Sequence, residues 1–198
     1  MSIIIDGTNG ITLPSGAVSN TTGAVVGTTD TQTLTNKSIV ASQLTGTIAG
    51  ARLPAGSVLQ VVSATYSTTV TIASTSFVDT GLSCSITPTS SSSKILVLTS
   101  QPGLCVIGSN ASRSNYIQLL RSSTAIFNWN WETNGAVGAN GFRVDPYLAN
   151  ISYLDSPATT SSVTYKTQAR GDSTADSLQT RWQWNGSISA ITLMEIAA

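Results

Sequence analysis

From residue 58 onward, apolar and polar positions alternate with a period of two, in runs of five to nine residues closed by Gly, Pro, Asn or Ser. Such alternation puts every second side chain on one face of a strand. It predicts a strand over Val58–Tyr66, then strands near 68–72, 77–82 and 84–86. Residues 94–100 hold an unbroken apolar run, Ile95-Leu-Val-Leu98, which marks a central strand, and 116–121 and 125–131 follow across a Ser-Ser turn. Short strands at 142–147 (broken by Pro146), 148–154, 162–170, 178–184 and 188–196 complete the set, with loops at 89–93 and 134–141. Many short, evenly spaced strands without a helical period predict an all-β domain, an antiparallel β-sandwich of jelly-roll type, with a β-barrel as the alternative.

The pattern changes at residues 44–56, where three glycines and Pro54 fall between Thr45 and Gly56. Pro54 lacks a backbone donor and biases Leu53 toward an extended conformation. This stretch is read as a hinge between an extended N-terminal attachment and stalk segment, residues 1–56, and a C-terminal head, residues 57–198. In the first segment Ile3, Ile4 and Ile5 form a strand, a turn follows at 6–10, and Ile11 and Leu13 alternate in a second strand, together a small hairpin. The remainder to residue 56 is Thr-rich and poor in large side chains. It cannot bury enough apolar area alone to offset its ordering entropy. Either it is disordered, or it winds with identical copies so that scattered Ile, Leu and Val residues meet. The second is preferred, because the apolar residues are spaced out rather than missing.

Composition narrows the function. Charged residues are 9% of the chain, against about 25% in typical soluble domains. The net charge is zero and no basic run occurs, so nucleic acid is not an expected partner. No run approaches the ~20 apolar residues of a membrane helix, and no secretory signal is expected. Cys84 and Cys105 have no metal-ligand spacing and are expected to be reduced core residues. There is no histidine, which excludes histidine-based triads and most zinc sites. Neither enzymatic activity nor a cofactor is expected.

A resemblance adds to this. Asp6-Gly-Thr-Asn-Gly-Ile-Thr-Leu-Pro-Ser-Gly16 resembles the opening of many bacteriophage fibre proteins. Thr29-Asp-Thr-Gln-Thr-Leu-Thr-Asn-Lys-Ser-Ile39 resembles a motif of phage tail fibres and other virion structural proteins, and 44–56 is similar to the segment leading into their heads. Tyr153-Leu-Asp-Ser-Pro-Ala-Thr-Thr-Ser-Ser-Val-Thr-Tyr-Lys166 and Thr192-Leu-Met-Glu-Ile-Ala-Ala198 are similar to phage heads of this kind. The resemblance implies a homotrimeric virion protein, whose partners are other tail or capsid proteins and, at the head, a host surface glycan. Ile3, Ile4, Ile5, Ile11 and Leu13 are then the candidates for docking on the particle. Tail fibre, capsid head fibre or decoration protein, and lectin-like module all remain compatible with it.

Candidate binding chemistry is concentrated in tryptophan. All four occur in two W-x-W pairs, Trp129/Trp131 and Trp182/Trp184. Residues two apart on a strand share a face, so each pair is expected to present two indoles side by side. They are candidates for glycan stacking; the competing reading is core or interface filling. In the core reading Asn128, Asn130 and Gln183 face solvent and offer amides to sugars. Glu132, Asp145, Asp155, Asp172 and Asp176 could supply a carboxylate pair by type, but loop acids are usually solvated turn formers. Arg170-Gly-Asp172 reads as a polar turn.

Overall fold

The expected alternation folds into two antiparallel sheets packed face to face. The structure, a computed structural model, describes residues 4–6, 10–12, 50–109, 112–139 and 141–198. The chain divides into two compact units, Met1–Gly46 and Thr47–Ala198. In the first, β1 (Ile4–Asp6) pairs with β2 (Gly10–Thr12), Ile5 opposite Ile11, as the sequence predicts for the hairpin. Ile3 and Leu13, and the stalk and attachment segment over most of its expected length, lie outside the described residues.

The second unit opens on a 3-10 turn, Gly50–Arg52. The strands are β3 (Val58–Tyr66), β4 (Val70–Ile72), β5 (Val78–Ile86), β6 (Lys94–Ile107), β7 (Arg113–Arg121) and β8 (Thr124–Thr133). They continue with β9 (Arg143–Asp155), β10 (Val163–Gly171), β11 (Gln179–Trp182) and β12 (Ser189–Ile196). One sheet has the order β5-β10-β7-β8; the other runs β3-β12-β6-β11-β4, with β9 on the free side of β6. The antiparallel pairs are nested: β7 with β8 innermost, then β6 with β9, β5 with β10, and β3 with β12. That nesting is a jelly roll, a long hairpin rolled into two sheets.

The break predicted at Pro146 is absent, and the strand predicted over 94–100 runs on past Pro102. Pro102 lies inside β6, and Pro146 inside β9. Pro102 accepts a hydrogen bond from Gln183 N at 3.3 Å. Its nitrogen therefore faces the junction where β11 ends and β12 has not begun, and no ladder donor is lost. Pro146 is on an edge strand, the place where a sheet tolerates proline.

The core is layered along the strands. A lower cluster gathers Leu82, Cys84, Ile95, Val97, Tyr165 and Leu193, among others, from both sheets. An upper one holds Ile72, Ile117, Ala149, Ala169 and Trp182. Between them runs a buried polar belt. Gln101 Nε2 donates to Thr80 Oγ1 at 2.8 Å, and Thr167 Oγ1 donates to Gln101 Oε1 at 2.9 Å. The Gln183 side-chain oxygen accepts from Ser189 Oγ (2.6 Å) and Gln101 Nε2 (3.1 Å), while its nitrogen donates to the carbonyls of Thr80 and Trp182. The belt ties the sheets together with directional bonds, where apolar contact alone would tolerate sliding.

Candidate functional site

The W-x-W pairs divide. On β8, Trp129 and Trp131 point the same way and stack, centroids 5.2 Å apart, as strand geometry dictates. Trp129 is 40% exposed at the sheet edge. Trp131 reaches inward to Tyr147 (4.1 Å) and Trp182 (6.3 Å). The second pair does not share a face, contrary to the sequence expectation. Gln183 takes φ 54, ψ 34, and the chain turns into a 3-10 turn over Trp184–Gly186. Trp182 is therefore fully buried while Trp184 is 47% exposed, with the Arg181 guanidinium 4.8 Å from its ring centroid. Gln183, expected at the solvent side, is buried in the belt; Asn128 and Asn130 are exposed. The exposed candidates for stacking on a sugar ring are thus Trp129 and Trp184.

The buried aromatic group is built around a missing side chain. Gly103 pairs with Trp182 on β11 and with Tyr147 on β9, so all three share one inward row. Trp131 Nε1, Trp182 Nε1 and the Tyr147 hydroxyl have no hydrogen-bond partner among the described residues. Burial drives the Tyr147 hydroxyl pKa well above its ordinary value.

The candidate carboxylates Asp145, Asp155 and Asp172 each engage different partners, and the Asp176 side chain lies outside the described residues. Asp155 is buried and accepts from Arg121 (2.9 Å), half-exposed, and from the Tyr165 hydroxyl (2.7 Å). Burial and then the Asp155 hydrogen bond raise the Tyr165 pKa. Asp145 takes Arg143 Nε at 2.9 Å, and Asp172 accepts from Ser114 N at 2.9 Å. Glu132 is exposed on β8. Of Arg170-Gly-Asp172, the first two residues end β10, and the Arg170 guanidinium lies 3.8 Å from the Tyr116 ring centroid rather than free in a turn. Cys84 and Cys105 are free and buried, and burial raises both thiols. Among the described residues no group of three or more Cys, Asp or Glu could hold a metal. A cleft of about 390 Å³ lies between Leu53, Leu59, Thr89 and Ala198, lined by serines and backbone.

The two outer faces of the sandwich differ in chemistry. On the four-stranded sheet, Gln118 Nε2 donates to Gln168 Oε1 (2.8 Å), Gln168 Nε2 to Asp79 Oδ1 (2.7 Å) and Lys166 Nζ to Asp79 Oδ2 (2.9 Å). Burial alone would raise the Asp79 carboxyl, but these bonds and the Lys166 charge hold it below its ordinary value. Exposed Asn128 and Asn130, register partners of Gln118 and Tyr116, extend this polar face onto β8. The outer face of the other sheet carries Val61, Leu96, Leu148, Leu154 and Met194, with Ser63, Ser100, Asn150, Ser152 and Thr192 between them. No sequence motif marks either face. The signal lay in 94–100, where apolar residues occupy both phases of the alternation.

The sequence matches no known protein family and no curated protein. Among solved structures, that of the infectious bursal disease virus Gx strain is similar at 13% identity, over 70% of this chain and 37% of that one, with a TM-score of 0.29. The VP2 subviral particle of the same virus is similar at 10% identity, over 70% and 38%, with a TM-score of 0.29. The Gt strain structure gives 9% identity, 78% and 43%, and a TM-score of 0.28. This chain spans less than half the length of those chains, and at such TM-scores nothing about its function follows from the likeness.

Proposed function

We propose that this protein is a structural component of a bacteriophage virion, a short homotrimeric fibre whose N-terminal segment docks on the particle and whose jelly-roll head projects from it. One observation carries this reading: fibre-like motifs occur in order along 6–16, 29–39 and 44–56, and an all-β head follows them. The core-poor front section needs either sister copies or the particle to complete it. Docking is assigned to Ile3, Ile4, Ile5, Ile11 and Leu13, of which Ile5 and Ile11 are register partners. At the head, Trp129 and Trp184 are the residues suited to touch a host surface glycan by stacking, and Asn128 and Asn130, on the opposite face of β8, are the alternative contact through their amides.

The deciding experiment is immunogold labelling of purified particles with antibody against the head. Labelling at the tail supports the tail fibre. Labelling on the shell supports the second reading, a capsid head fibre or decoration protein. Absence of the protein from washed particles overturns both. On a glycan array, binding lost on Trp129→Ala or Trp184→Ala would make the head lectin-like; undiminished binding by both variants would remove the tryptophans from the receptor contact.

A further inference from the structure

We infer that the outer face of the β3-β12-β6-β9 sheet is the surface through which copies of this chain contact one another. This deepens the assembly part of the reading above and rests on that part alone, since contact between copies does not require a virion.

Register places apolar side chains in rows across the strands. Leu154, Leu96, Met194 and Val61 are successive partners on β9, β6, β12 and β3. Further along, Leu148 partners Pro102, Pro146 partners Leu104 and Val144 partners Val106. Val61, Val144, Leu148 and Leu154 are each half exposed or more. A sheet face that meets water normally carries the polar half of the alternation. Between these two apolar groups the face carries Ser152, Thr192 and Ser63 in one row and Asn150, Ser100 and Thr65 in the next. The four-stranded sheet keeps to that rule at Gln118, Gln168, Lys166 and Asp79, whereas this one departs from it at both ends of β9.

Area and charge identify the occupant. At about 4.8 Å between strands and about 3.3 Å per residue over the paired length of β6 and β9, the face measures on the order of 700 Å². A standard stable interface buries roughly 800 Å² per partner and mixes apolar with uncharged polar groups, as this face does. The acids of these strands, Asp145, Asp155 and Glu195, point into the sandwich, and the cations on the face are Lys94 at the start of β6 and Arg181 on β11. The face therefore lacks the acid to recruit a basic partner and the cation cluster to recruit an acidic one. A second copy offers the matching uncharged surface, and the net charge of zero removes repulsion between copies.

The test uses the full-length chain and two readouts. Light scattering should give a multiple of 20.4 kDa, and Leu154→Glu with Val61→Glu should reduce it to a folded 20.4 kDa species by circular dichroism. In a separate variant, Leu148→Cys should react with maleimide at least tenfold more slowly than Ser83→Cys on the opposite face, the native thiols being buried. A monomeric wild type overturns the inference. So does Leu148→Cys reacting as fast as Ser83→Cys, which would mean that an oligomer, if present, is held by the N-terminal segment. Slow reaction of Leu148→Cys in a monomer also overturns it, because the chain would then be covering its own face. Particle labelling can succeed or fail independently of all three.

Discussion

The Tyr147 ring occupies the space above Gly103, its cross-strand partner: a Cβ on Gly103 would lie 2.6 Å from Tyr147 Cζ. The ring cannot swing aside, because Trp131 and Trp182 hold it at centroid distances of 4.1 and 5.1 Å. Gly103→Ala is expected to cost about 1–3 kcal/mol, as overpacking of a filled core does. Urea unfolding would measure the loss, and near-UV circular dichroism should change with it as the indoles are displaced.

Trp182 and Trp184 should respond to truncation with losses of very different size. Trp182→Ala empties a fully buried site and should cost about 3–5 kcal/mol. Trp184→Ala removes an exposed ring and a contact with Arg181, worth about 1 kcal/mol or less. Paired thermal melts check the contrast; equal losses would contradict the left-handed turn at Gln183 that separates the two.

Glu195 makes stability depend on acid pH. Burial alone would raise its pKa, but hydrogen bonds from Gln60 Nε2, Thr89 Oγ1 and Thr89 N lower it from the ordinary 4.5. The folded chain therefore holds this proton less tightly than the unfolded one. Stability is full above about 4.5 and falls as pH drops through the lower folded value. Glu195→Gln should flatten that acid limb in a pH series of urea titrations while leaving the limb near neutrality unchanged in slope.

Asp155 joins two elements that the sequence does not bring together, Arg121 at the end of β7 and Tyr165 on β10. Asp155→Ala leaves a buried hydroxyl without its acceptor and a cation without its partner. The expected cost is about 2–3 kcal/mol, in the range for hydrogen bonds to charged groups. Tyr165→Phe should recover part of it in the Asp155→Ala background, which a double-mutant cycle reads directly.

Local pattern carried most of the fold. Val58–Tyr66 is a strand over the predicted span, because one clean alternation decides it. Pro102 and Pro146 look like strand ends, because whether a missing donor matters depends on which neighbour lies opposite, and that is tertiary information. The tryptophan pairs show the same limit: Trp129 and Trp131 follow strand geometry, while the second pair is parted by one residue at φ 54 that no propensity of Gln foretells. Residues 94–100 were legible as central but not as two-faced; only register shows that Leu96 faces outward beside Met194 and Leu154.

The nested pairing of strands also sets an order of events during synthesis. The β7–β8 hairpin needs only adjacent residues, whereas β3, made first, has its partner in β12, made last. Closing such distant contacts is slow, since chain entropy is lost before the contacts compensate it. A ribosome-bound chain therefore carries β3 without its partner until residue 196 has left the exit tunnel, and an exposed strand edge in that interval is a template for pairing with a neighbouring nascent chain.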